Sequence, residues 1–177
     1  MNLLLSSLFF AVGCFQKTGT SEAPVKSDLP KWVIEQPELC GVGIAPVMDG
    51  ELGQAKTYAE DEGRNDLSRQ IETKVGSMIK KYNQQTSSGG ETISETQRTN
   101  VSQSLSKTTL NGSVPKKAHY SEKQEKYYSL ICLKPGVFSS AFDAMEQMSE
   151  KQRNAIRERA KEAEQELDDA LKSYDDM

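Results

Sequence analysis

Residues 51–85, ELGQAKTYAEDEGRNDLSRQIETKVGSMIKKYNQQ, decide the fold of this chain. Leu52, Ala55, Ala59, Gly63, Leu67, Ile71, Val75, Met78, Ile79 and Tyr82 recur every three or four positions. That spacing draws one apolar stripe along a single long helix and leaves the charges on its other faces. Gly63 sits inside the stripe, where glycine costs about 1 kcal/mol relative to alanine. A glycine kept there predicts close approach of another backbone. The helix ends in Thr86-Ser87-Ser88-Gly89-Gly90, a loop signal.

Strand-like segments flank the helix. Leu39–Ala45 reads LCGVGIA, stops at Pro46 and is followed by an Asp49-Gly50 turn. On the far side, Glu91–Thr109 is rich in Ser and Thr. Val101, Gln103, Leu105, Lys107 and Thr109 keep a period of two there, read as a long, largely solvated strand. Asn111-Gly112 breaks it, Ser113–Ser121 continues as a further strand, and Glu122-Lys123-Gln124-Glu125 is a polar turn. Lys126–Leu133, KYYSLICL, is the strongest strand and stops at Pro135-Gly136.

A last helix is expected from Ser140, with Asp143 completing a capping box. Its stripe runs through Phe142, Met145, Ser149, Gln152, Ile156, Ala163, Leu167, Ala170 and Tyr174. Polar Ser149 and Gln152 interrupt that seam, and charges dominate beyond Ile156. Residues 157–177 therefore read as a solvated extension rather than as a short coiled coil, and as the place where a partner would touch. The expected architecture is α+β, with a small antiparallel sheet in β-α-β-β-β-α order on one long helix and a C-terminal helix partly extended into solvent.

The N-terminus carries a different signal. Leu3–Val12 is an apolar run too short to span a bilayer, closed by Ala11-Val12-Gly13-Cys14. This reads as a signal peptide over residues 1–13, with Cys14 as acceptor of lipid. No Lys or Arg precedes Cys14, and Ala11 stands where lipoboxes usually carry Leu. Residues 14–30 form the lipidated cysteine and a polar tether, 31–136 the α+β domain and 137–177 the C-terminal helix. Several acyl chains, each contributing about 0.8 kcal/mol per buried methylene, hold such a protein to a membrane. Phe15 rather than Asp after Cys14 favours the periplasmic face of a bacterial outer membrane. The net charge of −4 offers no electrostatic footprint for nucleic acid.

With Cys14 lipidated, Cys40 and Cys132 remain as an even pair in an oxidising compartment. They form a candidate disulfide, or else two small buried hydrophobes on different strands; sequence alone does not bring their Cα atoms within bridging range.

In order, the parts are the lipobox-like Ala11–Cys14, the tether, Pro30-Lys31-Trp32-Val33 and a GxG-bearing strand. Then come the helix Ala55-x3-Ala59-x3-Gly63-Arg64-x2-Leu67-x3-Ile71-x3-Val75, Leu110-Asn111-Gly112 and Tyr127-Tyr128-x-Leu130. Together they resemble the LPP-twenty lipoprotein family, that of the Helicobacter twenty-kilodalton outer-membrane lipoprotein and of lipoproteins of flagellar motors. The resemblance covers roughly residues 30–136, and Gly63 stands where the family more often has Ala. It implies a small sheet curled against a long helix, no enzymatic activity and no catalytic residues.

The residues themselves offer little chemistry. Gly41-Val42-Gly43 is followed by Ile44-Ala45-Pro46 rather than by a helix, so it predicts tight packing and not a phosphate loop. His119 is the only histidine, with no second ligand nearby for a metal and no nucleophile elbow for a hydrolase. Glu60-Asp61-Glu62 reads as a solvated face. No catalytic, metal or cofactor-binding residue is expected. Tyr127-Tyr128 and the Ser/Thr stretch 91–109 are candidates for a partner at a sheet edge, although Tyr128 reads better as core. The expected role is structural, with protein partners or further copies of the chain in an envelope or flagella-associated assembly. The rival is a periplasmic lipoprotein holding a small apolar ligand against Val75, Met78, Ile79 and Tyr82.

Overall fold

The computed structural model describes residues 28–86 and 90–175. The stripe forms helix α2 (Leu52–Thr86), and its members from Ala55 to Tyr82 are all buried; only Leu52, in the first turn, is exposed. Strand β1 (Cys40–Pro46) lies across the middle of α2. A Cβ added to Gly41 would fall 2.0 Å from the Gly63 carbonyl oxygen, and one on Gly63 would meet Ile131 at 2.6 Å. The glycines expected to permit close packing therefore face each other, and strand and helix backbones touch there.

The sheet is three-stranded and antiparallel, in the order β1-β3-β2, with β3 (Lys126–Leu133) in the centre and β2 (Ser113–Ser121) on the far edge. From Tyr128 to Leu133 every residue of β3 is buried, as a central strand covered on both faces must be. One face meets α2. Against the other core residues pack Trp32, from helix α1 (Lys31–Ile34), and Leu167, near the C-terminus. Asp49 and Gly50 adopt the left-handed backbone of a tight turn, with φ of 52° and 76°. Asp28 accepts a hydrogen bond from Ser121 Oγ at 2.8 Å, which holds its carboxyl below the usual range and ties the segment before α1 to the end of β2.

The Ser/Thr-rich stretch is helix α3 (Glu95–Asn111), not a strand, so the sheet has three strands rather than four. Val101 and Leu105 are fully buried, and their spacing of four is helical; the period of two counted Gln103 and Lys107 as if they shared that face. Ser94 and Gln97 form a reciprocal cap: Gln97 N–H donates to Ser94 Oγ at 3.2 Å and Ser94 N–H to Gln97 Oε1 at 2.9 Å. Tertiary packing overrides the modest helix propensity of serine and threonine here.

The C-terminal region also differs from expectation. Val137–Ser140 is a short helix, α4, and turns follow; the long helix α5 spans Glu150–Asp175. The capping box is Ser149 with Gln152, the two residues read as interruptions of the seam. Asp143 instead pairs with Arg157 at 2.6 Å. Beyond Ile156 the inner face stays in the core: Ala160, Ala163 and Leu167 are buried with the rest, while the outer face is solvated. Small alanines let the helix approach closely, so burial continues where large apolar side chains stop. Glu164 accepts from the Phe138 N–H at 2.9 Å and from Ser139 Oγ at 2.7 Å, capping α4 from across the interface. Tyr174 OH donates to the Glu35 carbonyl at 2.5 Å. The C-terminal helix is thus clipped at both ends to the domain that precedes it.

Candidate functional site

Cys14, read as the acceptor of lipid, lies with the rest of residues 1–27 outside the described residues. Cys40 and Cys132 are joined by a disulfide between β1 and β3, with Cα atoms 4.0 Å apart. They are register partners. Leu133 N–H donates to the neighbouring Leu39 carbonyl, so bonded pairs fall at odd positions of β1. Cys40–Cys132 is then a non-hydrogen-bonded pair, the kind that brings opposing side chains closest.

Tyr127 and Tyr128 lie on the central strand, not at an edge. Tyr128 is buried and donates its hydroxyl to Gln124 Oε1 at 2.7 Å; burial, then the Asp28 charge, pushes its pKa up. Tyr127 covers a sheet face against Ala45, Ala55 and Ala59. The edges belong to β1 and β2. On β1 the outward groups are those of Cys40, Val42, Ile44 and Pro46. Gln36 Nε2 donates to the Cys40 carbonyl at 2.7 Å, and the Val42 N–H donates to Asp66 Oδ2 at 3.1 Å. Proline has no N–H, so from Val42 to Pro46 the open outward donor is that of Ile44, which is 46% exposed. The sequence signalled this closure only through Pro46; Gln36 and Asp66 gave no sign of it.

Two of the open grooves along the long helix bear on a binding role. One of about 580 Å³ runs between α2 and the start of α3, past Gly76, Ile79, Lys80, Asn83, Ile93 and Arg98. Asn83 grips the backbone of Ile93 with two hydrogen bonds of 2.8 Å on its inner wall, and the Glu95–Arg98 ion pair holds the Glu95 carboxyl below its ordinary range. Val75, Met78 and Tyr82, offered as walls of a ligand cavity, are instead packed in the core with Ile79, and only Ile79 reaches this groove. The second groove, also about 580 Å³, lies between the β1 edge and α2 and includes Ile44, Tyr58, Asp61 and Glu62.

Among the described residues no three of His, Cys, Asp and Glu converge to hold a metal ion, and no helix is long and apolar enough to cross a membrane. His119 stands beside Tyr128, ring centroids 6.2 Å apart. The Cβ positions of Gly41 and Gly43 are filled by the backbone of α2, which leaves no room for a phosphate. Glu60 and Asp61 share Arg64 in a solvated ion-pair cluster. No protein-family model and no curated protein matches this chain.

Proposed function

We propose that this protein is a non-enzymatic, lipid-anchored component of the bacterial cell envelope, of the LPP-twenty type, held by Cys14 to the periplasmic face of the outer membrane. It acts there as a structural or interaction module, with protein partners or copies of itself. The observation that carries this reading is the Cys40–Cys132 disulfide in a domain preceded by a lipobox-like cysteine. Disulfides persist in oxidising compartments, and an export signal ending in Cys leads to one. The packed core beneath the sheet favours an interaction role over a ligand carrier, because the residues that would line a cavity are occupied with one another.

The test is fractionation. Wild-type protein is expected in the membrane pellet, released by detergent and not by salt. Cys14→Ser is expected to leave the chain uncleaved or in the soluble fraction. Equal membrane association of both forms, with no difference in mass beyond the substitution itself, would defeat the lipid-anchor reading. Co-purification of the tagged wild-type protein from detergent-solubilised membranes identifies its partners.

A further inference from the structure

The two edges of the sheet complement each other in hydrogen bonding, in charge and in overhang. β1 and β2 both run antiparallel to β3, so they are parallel to one another. A second copy in the same orientation therefore presents its β2 alongside β1 as a parallel neighbour. In a parallel pair one residue bonds to two residues that flank its opposite number. Among the outward residues of β1, Ile44 is the one with both its N–H and its carbonyl open. On β2 the inward positions include His119, bonded to its register partner Tyr128, and the outward ones are Ala118 and Tyr120, both exposed. Ile44 and His119 share the row through Tyr128, so continuing that row places Ile44 between Ala118 and Tyr120 of the second copy.

Charge and shape agree with that register. Between residues 60 and 69, α2 carries four carboxylates against two arginines, while residues 113–126 carry four lysines against two glutamates. Asp61 and Glu62 are more than half exposed, and Lys116 is exposed by the edge of β2. Ala118 and Tyr120 pair with Ser129 and Tyr127, on the face that meets α2, yet α2 packs on β1 and β3 and leaves them bare. That uncovered strip is the counterpart of the groove beside β1 with Ile44, Tyr58, Asp61 and Glu62. Two-fold pairing of β1 with itself would set those acids against their own copies and would meet Pro46, which has no N–H to give.

We infer that copies of this chain associate head to tail, the β2 edge of one copy adding to the β1 edge of the next. The Ile44 N–H donates to the second copy's Ala118 carbonyl, and the second copy's Tyr120 N–H donates to the Ile44 carbonyl. The Tyr120 ring enters the groove beside Tyr58, and Lys116 approaches Asp61 and Glu62. Such a contact is heterologous, so it extends the sheet from copy to copy into a ring or filament. This deepens the interaction reading but does not depend on lipid attachment.

The test uses the full chain carrying Cys14→Ser, so that no lipid brings copies together, and reads mass by sedimentation velocity. The chain is expected to form species beyond dimers that shrink toward monomers as salt is raised. Ile44→Pro and Tyr120→Pro each remove an outward N–H that the contact uses, at an edge position that tolerates proline. Each is expected to be monomeric alone, and the mixture to form a one-to-one dimer that grows no further, because one intact edge of each kind remains. Should a proline variant fail to fold by circular dichroism, Asp61→Lys with Glu62→Lys and, separately, Lys116→Glu test the contact without touching the backbone: each is expected to be monomeric alone, and their mixture, complementary at both junctions, to regain species beyond dimers. A chain that stays monomeric up to its solubility limit, or single variants that keep wild-type mass, would overturn the inference. A single variant that forms a closed dimer alone would do so too. Failure here leaves membrane fractionation unaffected, and failure of lipid attachment leaves this mass unaffected.

Discussion

Gly43 of β1 lies so close beneath Ala59 of α2 that a Cβ on the glycine would fall 1.7 Å from the Ala59 carbonyl oxygen. Both atoms are held by regular secondary structure, so neither can swing aside. Gly43→Ala must push strand from helix and is expected to cost at least 3 kcal/mol, the upper end for overpacking. Gly53, in the first turns of α2, has open space around its Cβ position. Gly53→Ala is expected to raise stability by about 0.5–1 kcal/mol. Urea unfolding of the two variants checks the contrast.

The C-terminal helix is expected to be essential for folding. Deleting residues 157–177 removes buried Ala160, Ala163 and Leu167 together with the Glu164 cap on α4. A chain truncated there should lose its cooperative thermal transition. The milder Glu164→Ala leaves the Phe138 and Ser139 donors short of a partner and should cost about 1–3 kcal/mol. A truncated chain with wild-type melting behaviour would place the helix outside the core.

High pH should weaken the fold through two tyrosines. Burial, then the neighbouring carboxylate Asp28 or Glu35, raises the pKa of Tyr128 and of Tyr174 above the ordinary value of 10.0. A folded state that holds a phenolic proton more tightly than the unfolded chain is stabilised below the unfolded pKa. That stabilisation is lost as pH rises through the folded pKa. Melting temperature should therefore fall above pH 10, and Tyr174→Phe should make the fall shallower.

Reducing the disulfide should loosen the sheet without abolishing it. Cys40 and Cys132 are 92 residues apart in sequence, so their bond closes a long loop in the unfolded chain. Its loss typically costs about 2–4 kcal/mol. Cys40→Ala with Cys132→Ala should unfold at lower urea than the oxidised protein, and dithiothreitol should change the wild type but not the double variant.

What the sequence made legible was periodicity and close approach. The stripe of α2, the strand at 126–133 and the contact between Gly41, Gly43 and Gly63 all follow from local spacing. What it hid was decided at a distance. Val101 and Leu105 fit a strand or a helix until it is known that their segment packs on helix α2. Ser140-x-x-Asp143 and Ser149-x-x-Gln152 are equally good capping boxes, and only the irregular packing of Phe142, Met145 and Met148 selects the second. The alanines of α5 looked too small to anchor a helix, because close approach to a partner helix is a property of the pair. At the β1 edge, Gln36 and Asp66 act through backbone groups, and no pattern in the sequence marks them.

Lipid attachment at Cys14 is the proposal that sets where this domain works. Mass spectrometry of the N-terminal peptide, from protein extracted out of membranes, tests it most directly. The expected peptide begins at Cys14 and carries the added mass of several acyl chains. A peptide that runs through residues 12–16 with an unmodified cysteine would contradict it.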